Sequence, residues 1–271
     1  MSIYTFHRGS LPLLISVPHA GTAVPDEIAR TFTRSGLELP DTDWYVDRLY
    51  GFAEELGASV IRASVSRYVV DLNRGPDSAS LYTAAVTSPV CPTSTFAGAT
   101  IYEPGREPDA DAIAARLEHY WHPYHQCIAE ELWRIRSEHG YALLWDAHSI
   151  ISRLPTLFEG ELPEFNLGTR DHAACPVSVS ETLLQSLRAE GRYSAVLNGR
   201  FKGGYITMAY GRPADRVLAI QLELAQRTYM AEVPRGPWEA ARARDVATRI
   251  QTLLRQFLAV ASGQETPVSS P

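Results

Sequence analysis

The sequence is short of the features that mark several large classes of protein. It has only three cysteines among 271 residues, Cys91, Cys127 and Cys175, and none belongs to a CxxC pair. An odd number of widely spaced thiols predicts neither a disulfide framework nor a thiolate zinc site, and it fits a reducing cytoplasm. No apolar run approaches the roughly 18 residues that span a bilayer, and the first residues lack the pattern of a signal peptide.

The sequence also lacks an excess of positive charge, with 25 lysines and arginines against 31 acidic residues. The formal net charge is −6, and the charged residues are spread along the chain without blocks, which argues against a nucleic-acid partner. Gly-x-Ser-x-Gly, Walker-type and Gly-x-Gly-x-x-Gly motifs are absent, so serine esterases, P-loop enzymes and dinucleotide enzymes are disfavoured. The sequence favours no particular oligomeric state.

What the chain does have is apolar residues, 45% of the total, in short runs that alternate with longer amphipathic segments. This alternation is typical of an α/β protein in which helices cover a sheet. The length predicts a single domain over residues 1–265, and the polar, proline-containing end predicts a frayed tail at 266–271.

The apolar runs predict five strands, in "LPLLISVP", "ASVIRASV", "YALLWDAHS", "YSAVLNG" and "VLAIQLEL". Helical spacing predicts helices over 43–56, over 109–139 with a kink at Pro123, in "SETLLQSLRAEG" and over 238–261. A long loop is expected over 83–108, and loops of that length in compact domains are usually functional. "RFKGGYIT" is predicted to be a further loop.

Three polar clusters stand where predicted strands end: "SVPHAG" with His19, "LWDAHS" with Asp146 and His148, and "IQLEL" with Glu223. In open α/β sheets, ligands bind at the carboxyl ends of strands, because loops converge there and leave a crevice. Two imidazoles and one carboxylate are the usual ligands of a catalytic zinc ion. The clusters therefore predict one shared metal site.

The carboxylate ligand has several candidates. Asp43 and Asp47 are nearest to the start of the next predicted helix, and three further acids lie behind them, namely Asp41, Asp26 and Glu27. Asp146 is predicted to orient His148, because metal-bound imidazoles usually donate their second N–H to a carboxylate or carbonyl. Glu223, inside an apolar strand, suits a general base, with a solvent-facing residue of an edge strand as the alternative.

"SRYVVDLNRGP" gathers cations near one strand end. Arg67, Asn73 and Arg74 suggest a clamp for an acidic substrate, and an ion pair between Arg74 and Asp71 is the structural alternative. The nearby "GRFKGGYIT" offers backbone access at its glycines, including Gly204, donors at Tyr205 and Thr207, and positive charge from Arg200 and Lys202. The spacing of His119, His122 and His125 favours packing over a second metal site.

Long stretches of the chain resemble the N-formylglutamate amidohydrolases. They lie between Leu11 and Met230 and include "TDWYVDRLY", "YWHPYH", "NLGTRD", "LNGRFKGGYITMAYGRPAD" and "QLELAQRTYM". The resemblance implies a three-layer α/β/α sandwich around a mixed sheet, related to the zinc carboxypeptidases, and a place in histidine degradation. One departure is His172, which stands where the family usually has glycine.

The same resemblance implies the roles of individual residues. The zinc ligands would be His19, His148 and Asp43, with Asp47 as the rival acid. Glu223 would be the base, and Arg67, Asn73 and Arg74 would hold a small substrate with two carboxylates. That substrate would be N-formyl-L-glutamate, cleaved to formate and L-glutamate. The alternatives are a zinc hydrolase of another N-acyl amino acid, aspartoacylase-like or peptidase-like, and a non-enzymatic binding protein for acidic amino acids.

Overall fold

Seven strands form one mixed sheet in residues 2–77, 88–233 and 235–263, the ranges that this computed structural model describes. The strands are β1 (Tyr4–His7), β2 (Leu13–Val17), β3 (Ser59–Ala63), β4 (Ala142–Ile150), β5 (Phe165–Gly168), β6 (Ala195–Leu197) and β7 (Val217–Ala225). Their order across the sheet is β1-β3-β2-β4-β7-β5-β6. The central strands β3, β2, β4 and β7 are parallel, whereas β1 and β5 run antiparallel to their central neighbours. The predicted tail at 266–271 and residues 83–87 of the predicted loop lie outside the described residues.

Helices cover both faces of the sheet. They are α1 (Asp26–Ala29), α2 (Arg34–Leu37), α3 (Val46–Leu49), α4 (Ala53–Leu56), α5 (Ala110–Arg116), α6 (His122–His139), α7 (Val177–Ala189), α8 (Tyr205–Tyr210) and α9 (Ala240–Ser262). Apolar residues of α3, α7 and α9 pack into one core cluster, and those of α6 and α8 pack into a second. The expected α/β sandwich around a mixed sheet is confirmed. No helix in the described ranges is long and apolar enough to cross a membrane.

Successive side chains of β4 pack alternately into the two core clusters. Leu143 and Trp145 belong to the first cluster and Leu144 belongs to the second, because successive side chains of a strand point to opposite faces. Asp146 and His148 follow Leu144 at the same two-residue spacing, so they share its face of the sheet. The strand therefore presents both polar side chains on one side, as the sequence predicts.

The helix predicted over 43–56 is interrupted. Tyr45 has a left-handed backbone with φ 61°, and two short helices, α3 and α4, follow it. The backbone N–H of Asp43 donates to the carbonyl of His19 at 3.1 Å. This bond fixes residue 43 beside the end of β2, so the chain must turn before a helix can begin.

The helix predicted over 109–139 is nearly continuous. A π-helix, Leu117–Trp121, joins α5 to α6, and Pro123 lies in the first turn of α6. Proline is tolerated there because the first N–H groups of a helix have no partner within it. The predicted disturbance near His122 thus takes the form of a π-helical segment, which is a frequent feature of functional sites.

Two short strands and three helices differ from the sequence predictions, and among the helices α1 and α2 were not predicted at all. Strands β1 and β5 were not predicted, since four residues give too little alternation to be recognised. The segment predicted as the loop "RFKGGYIT" begins helix α8 at Tyr205, directly after Gly203 and Gly204.

Candidate active site

Three adjacent parallel strands bring the predicted polar clusters to one cavity of about 360 Å³. His19 follows β2, His148 lies in β4, and Glu223 lies in β7 directly opposite His148 in the strand register. The cavity floor consists of the buried residues His19, Asp43, His148 and Glu223. The cavity rim consists of the half-buried or exposed residues Phe96, Thr156, Leu157, Arg200 and Phe201. Phe96 comes from the predicted long loop, which therefore does contribute to the cavity wall.

His19, Asp43 and His148 could together hold a metal ion, because their ligand atoms lie within 4.8 Å of one another. Asp43 Oδ2 is 3.0 Å from Nδ1 of His148 and 3.8 Å from Nδ1 of His19. Nδ1 of His19 is buried and has no hydrogen-bond partner within the described residues. Buried polar atoms are rarely left unpaired, and two imidazoles with a carboxylate suit a divalent metal ion. The residues present therefore fit a metal ion.

Asp47, the rival acid, lies apart from this group. It is exposed on α3, whereas Asp43 is 2% exposed. Asp43 also accepts a hydrogen bond from the backbone N–H of Ser149 at 3.2 Å, which fixes its carboxylate at the end of β4. The geometry thus favours Asp43 as the acidic ligand.

Each imidazole has a carboxylate on its other side. Nε2 of His148 lies 3.0 Å from Oδ2 of Asp146, and Nε2 of His19 lies 2.8 Å from Oδ1 of Asp71. A proton on each Nε2, donated to the carboxylate, leaves each Nδ1 lone pair free for a metal ion. Asp146 therefore contacts the imidazole of His148 on the side away from Asp43.

Asp71 does for His19 what Asp146 does for His148, although the sequence suggested it only as a partner of Arg74. The structure pairs Asp71 instead with Arg67, whose Nη2 lies 2.6 Å from Oδ2 of Asp71. Burial alone would raise the pKa of Asp71, but Arg67 and His19 hold it well below its usual range. The carboxylate therefore stays charged and can accept a hydrogen bond from Nε2 of His19.

A network of amides forms the wall beside Asp146. Nδ2 of Asn73 donates to Oδ2 of Asp146 at 3.2 Å, and Oδ1 of Asn73 accepts the backbone N–H of Ile206 at 2.8 Å. The backbone N–H of Gly204 donates to Oε1 of Gln221 at 2.7 Å. A Cβ atom on Gly204 would lie 2.3 Å from Nδ2 of Asn73. Only glycine allows this close approach, so Asn73 and Gly204 line the cavity together.

Glu223 faces the same cavity without a close cationic partner among the described residues. Its Oε2 lies 3.4 Å from Nε2 of Gln221. Burial raises the pKa of Glu223 to about 8; His148 and Arg67 oppose the rise, while the carboxylates of Asp43 and Asp146 add to it. A carboxyl group with a pKa near neutrality can both accept and return a proton. The alternative of a solvent-facing edge glutamate is excluded, since Glu223 is 7% exposed on a central strand.

The predicted substrate clamp is only partly free. Arg67 and Arg74 both line the cavity. The guanidinium of Arg67 is engaged by Asp71 and lies 3.7 Å from Oδ1 of Asp43. In Arg74, Nε is 3.3 Å from Oγ of Ser88, and Nη1 donates to the carbonyl of Asn73 at 3.2 Å. Arg67 therefore offsets the negative charges of Asp43 and Asp71. Arg74, in contrast, places a positive charge in the wall of the cavity.

Tyr205 and Thr207, predicted to bind substrate, do not line the cavity. The ring of Tyr205 packs against those of Trp121 and His125, with centroids 5.4 and 5.3 Å away. Thr207 is fully buried, next to Gly203. Helix α8 turns both side chains away from the cavity because the helix begins immediately after the glycines.

His125 supports the wall from behind, as a packing role predicts. Its Nε2 donates to the carbonyl of Leu72 at 2.9 Å, and its ring stacks on Trp121 with centroids 3.7 Å apart. The indole N–H of Trp121 donates to the carbonyl of Arg74 at 2.9 Å. Burial lowers the pKa of His125 to about 3, so the ring is neutral. Both side chains hold the backbone on either side of Asn73.

Sequence reasoning missed the roles of three residues of this site. Asp71 and Gln221 each left a signal, because an acid in "YVVDL" and an amide in "AIQLEL" interrupt apolar runs whose polar side chains need partners. Trp121 left none, since its role depends on the π-helical segment that aims its indole at Arg74.

Known proteins resemble this chain over most of its length. A family model of N-formylglutamate amidohydrolases matches residues 11–230. The chain is 48% identical to an N-formylglutamate deformylase of Pseudomonas aeruginosa, over 95% of this chain and 96% of that one. It is 47% identical to an N-formylglutamate deformylase of Pseudomonas putida, over 94% of each chain.

Two solved structures share the fold. A crystal structure of N-formylglutamate amidohydrolase from Ralstonia eutropha superposes with a TM-score of 0.79 and 24% identity, covering 97% of this chain and 100% of that one. A gene product of Agrobacterium tumefaciens gives a TM-score of 0.73 at 16% identity, over 97% of each chain. On the family match and the two Pseudomonas relatives, this chain belongs to the N-formylglutamate amidohydrolase family.

Proposed function

We propose that this protein is a single-domain, metal-dependent N-formylglutamate deformylase, which hydrolyses N-formyl-L-glutamate to formate and L-glutamate. The observation that carries the proposal is the unpaired, buried Nδ1 of His19, which faces Asp43 and His148 in the cavity that also contains Glu223. The names of the two Pseudomonas relatives support the choice of substrate.

His19, Asp43 and His148 would hold the metal ion, and zinc is the ion that this donor set suits best. When bound, a divalent ion supplies Lewis acidity, which polarises a carbonyl group and lowers the pKa of water. Asp71 and Asp146 would hold the two imidazoles by Nε2, which would leave Nδ1 of each ring as the metal ligand.

Glu223 moves the proton. Water adds to the formyl carbon, and Oε of Glu223 accepts a proton from it. The carboxyl group then gives that proton to the amide nitrogen as the C–N bond breaks, so that formate and the free amine leave. Burial raises the pKa of Glu223 to about 8, so the carboxyl group can hold the proton between the two transfers.

Arg74 would bind the substrate carboxylate nearest to the scissile amide. It lies next to Asn73, whose side-chain nitrogen is 2.9 Å from Nε2 of the floor residue His148, so its charge stands close to the floor. Guanidinium groups bind carboxylates through paired hydrogen bonds. Gly204 lets the backbone of the opposite segment approach this position. Arg67 would keep the floor from repelling a dianionic substrate, because it offsets the charges of Asp43 and Asp71.

The direct test is release of formate from N-formyl-L-glutamate by the purified protein, with bound metal quantified by mass spectrometry. Formate release that a chelator abolishes and added zinc restores is the expected result. Faster hydrolysis of N-acetyl-L-aspartate or of a dipeptide would support a different hydrolase. Binding of acidic amino acids without metal and without hydrolysis would support a binding protein instead.

A further inference from the structure

Arg200 is a cation of the cavity rim that the proposed chemistry leaves unused. It follows β6 and lines the cavity beside Leu157 and Phe201. Its Nε donates to the carbonyl of Leu157 at 2.8 Å, and its guanidinium carbon lies 5.6 Å from the ring centroid of Phe201. Within the described residues, its two terminal nitrogens donate no hydrogen bond, and no carboxylate pairs with it.

The other cations near the cavity are engaged differently. Arg67 is buried against Asp71, and its positive charge is paired with that carboxylate. The ammonium of Lys202, two residues after Arg200, lies 2.9 Å from Asp171 and does not line the cavity. Arg200 therefore lines the cavity with a guanidinium group that is fixed at Nε by Leu157 and whose terminal nitrogens bond to no other described residue.

The proposed substrate has a second carboxylate that needs a partner. Cleavage fixes the amide at the floor, and Arg74 binds the adjacent α-carboxylate. The γ-carboxylate is separated from the α-carbon by two methylene groups, so it must extend from the floor into another part of the cavity. Arg200 is a charged group at the rim that can meet it there, and its planar fork matches a carboxylate.

We propose that Arg200 is the residue that selects substrates with a carboxylate at the end of the side chain, by binding that carboxylate in the cavity rim. This inference rests on the proposed function for the identity of the reaction. Charge-assisted hydrogen bonds to a carboxylate at a partly exposed site predict a contribution of about 10- to 100-fold in kcat/KM.

The test compares N-formyl-L-glutamate with N-formyl-L-glutamine, which has a side chain of the same shape without the charge. In the variant Arg200→Met, kcat/KM for N-formyl-L-glutamate should fall about 10- to 100-fold, mainly through KM, while kcat/KM for N-formyl-L-glutamine stays within about 2-fold. Arg200→Lys should restore part of the preference, because it restores the charge without the fork. Lys202→Met is the matched control and should keep the wild-type preference.

Two outcomes would overturn the assignment of Arg200: an equal loss on both substrates, or no loss on either. Thermal unfolding of the variants separates a folding defect from lost recognition. If the wild-type protein releases formate from neither substrate, the proposed function fails. Calorimetric binding of the same two compounds then still decides the role of Arg200, since weaker binding of N-formyl-L-glutamate alone by Arg200→Met would support it and unchanged binding would contradict it.

Discussion

The floor and the rim of the cavity are built in different ways. The floor residues come from the ends of adjacent strands or are bonded to those ends, and each imidazole is held by a carboxylate on its far side. The rim residues come from loops, and Arg200 is held by a single hydrogen bond to the carbonyl of Leu157. His19 and His148 are each 3% exposed, whereas Arg200 is exposed.

From this difference we infer that the floor serves the chemistry and the rim serves the choice of substrate. Catalytic groups must be held rigidly, and the backbone of a parallel sheet fixes them at no further cost in conformational entropy. Recognition of a flexible side chain tolerates a looser partner, and loops supply it. Changes at the floor should therefore abolish turnover, whereas changes at the rim should alter the preference among substrates.

Loss of a metal ligand at the floor should have the largest effect. Asp43→Asn removes the charge shared by the two imidazoles, so metal affinity should fall by more than about 100-fold, since loss of an outer partner alone typically costs 10- to 100-fold. Formate release should fall in parallel. Metal content after dialysis is the measurement, and Asp47→Asn, which changes an exposed carboxylate of α3, is the matched control. Metal loss in Asp47→Asn and not in Asp43→Asn would reverse the assignment.

Loss of the base should come next. Glu223→Gln keeps the shape of the side chain and should leave the metal bound, but kcat should fall by about 10²- to 10⁴-fold, the usual contribution of a general base. Steady-state kinetics with metal analysis of the same sample checks this. Near-normal turnover would remove Glu223 from the mechanism and would weaken the distinction between floor and rim.

The wall behind the cavity should give an intermediate effect. Trp121→Phe deletes the hydrogen bond from the indole to the carbonyl of Arg74, so Arg74 should be less well placed. One lost hydrogen bond is worth about 1 kcal/mol, which predicts a rise in KM of about 5-fold with little change in kcat. Trp133→Phe is the control, because Trp133 is 65% exposed on α6. If both variants behave alike, Trp121 has no positioning role.

The smallest effect is expected away from both regions. His172 has φ 72°, a left-handed conformation that disfavours residues other than glycine. His172→Gly should therefore raise the free energy of unfolding by up to about 1 kcal/mol, although it removes a contact with Ser180. Thermal unfolding measures the change, and kcat/KM should stay the same. His172→Ala, which keeps the Cβ atom, should be no more stable than the wild type.

Much of the site could be predicted from the sequence because polar side chains in apolar strands are conspicuous. His19, His148 and Glu223 each end or interrupt such a run, and carboxyl ends of parallel strands meet at one edge. Asp146 was predicted to lie beside His148 because alternate residues of a strand share a face. The pattern of polar and apolar residues could not distinguish Asp43 from Asp47, because both lie at the start of the same predicted helix.

The rest depended on contacts between distant segments. Asp71 meets His19 across 52 residues of chain, and Asn73 meets Asp146 across 73. Tyr205 and Thr207 were predicted as donors in a loop, but helix α8 begins at Tyr205 and turns them away. The direction of the first side chains of a helix depends on where the helix begins and how it packs. Local composition does not give this direction.

By itself, the sequence determined the layers of the fold and the strands that carry the polar clusters, since hydrophobic periodicity is a local property of the chain. The tertiary structure decided which carboxylate joins the two imidazoles and which arginine keeps its charge for a ligand. The backbone bond from Asp43 to His19 holds this acid beside the imidazoles, and the charge of Arg67 is paired with that of Asp71 in the buried interior. Both outcomes follow from pairing of charges in a buried space, and only folding creates that space.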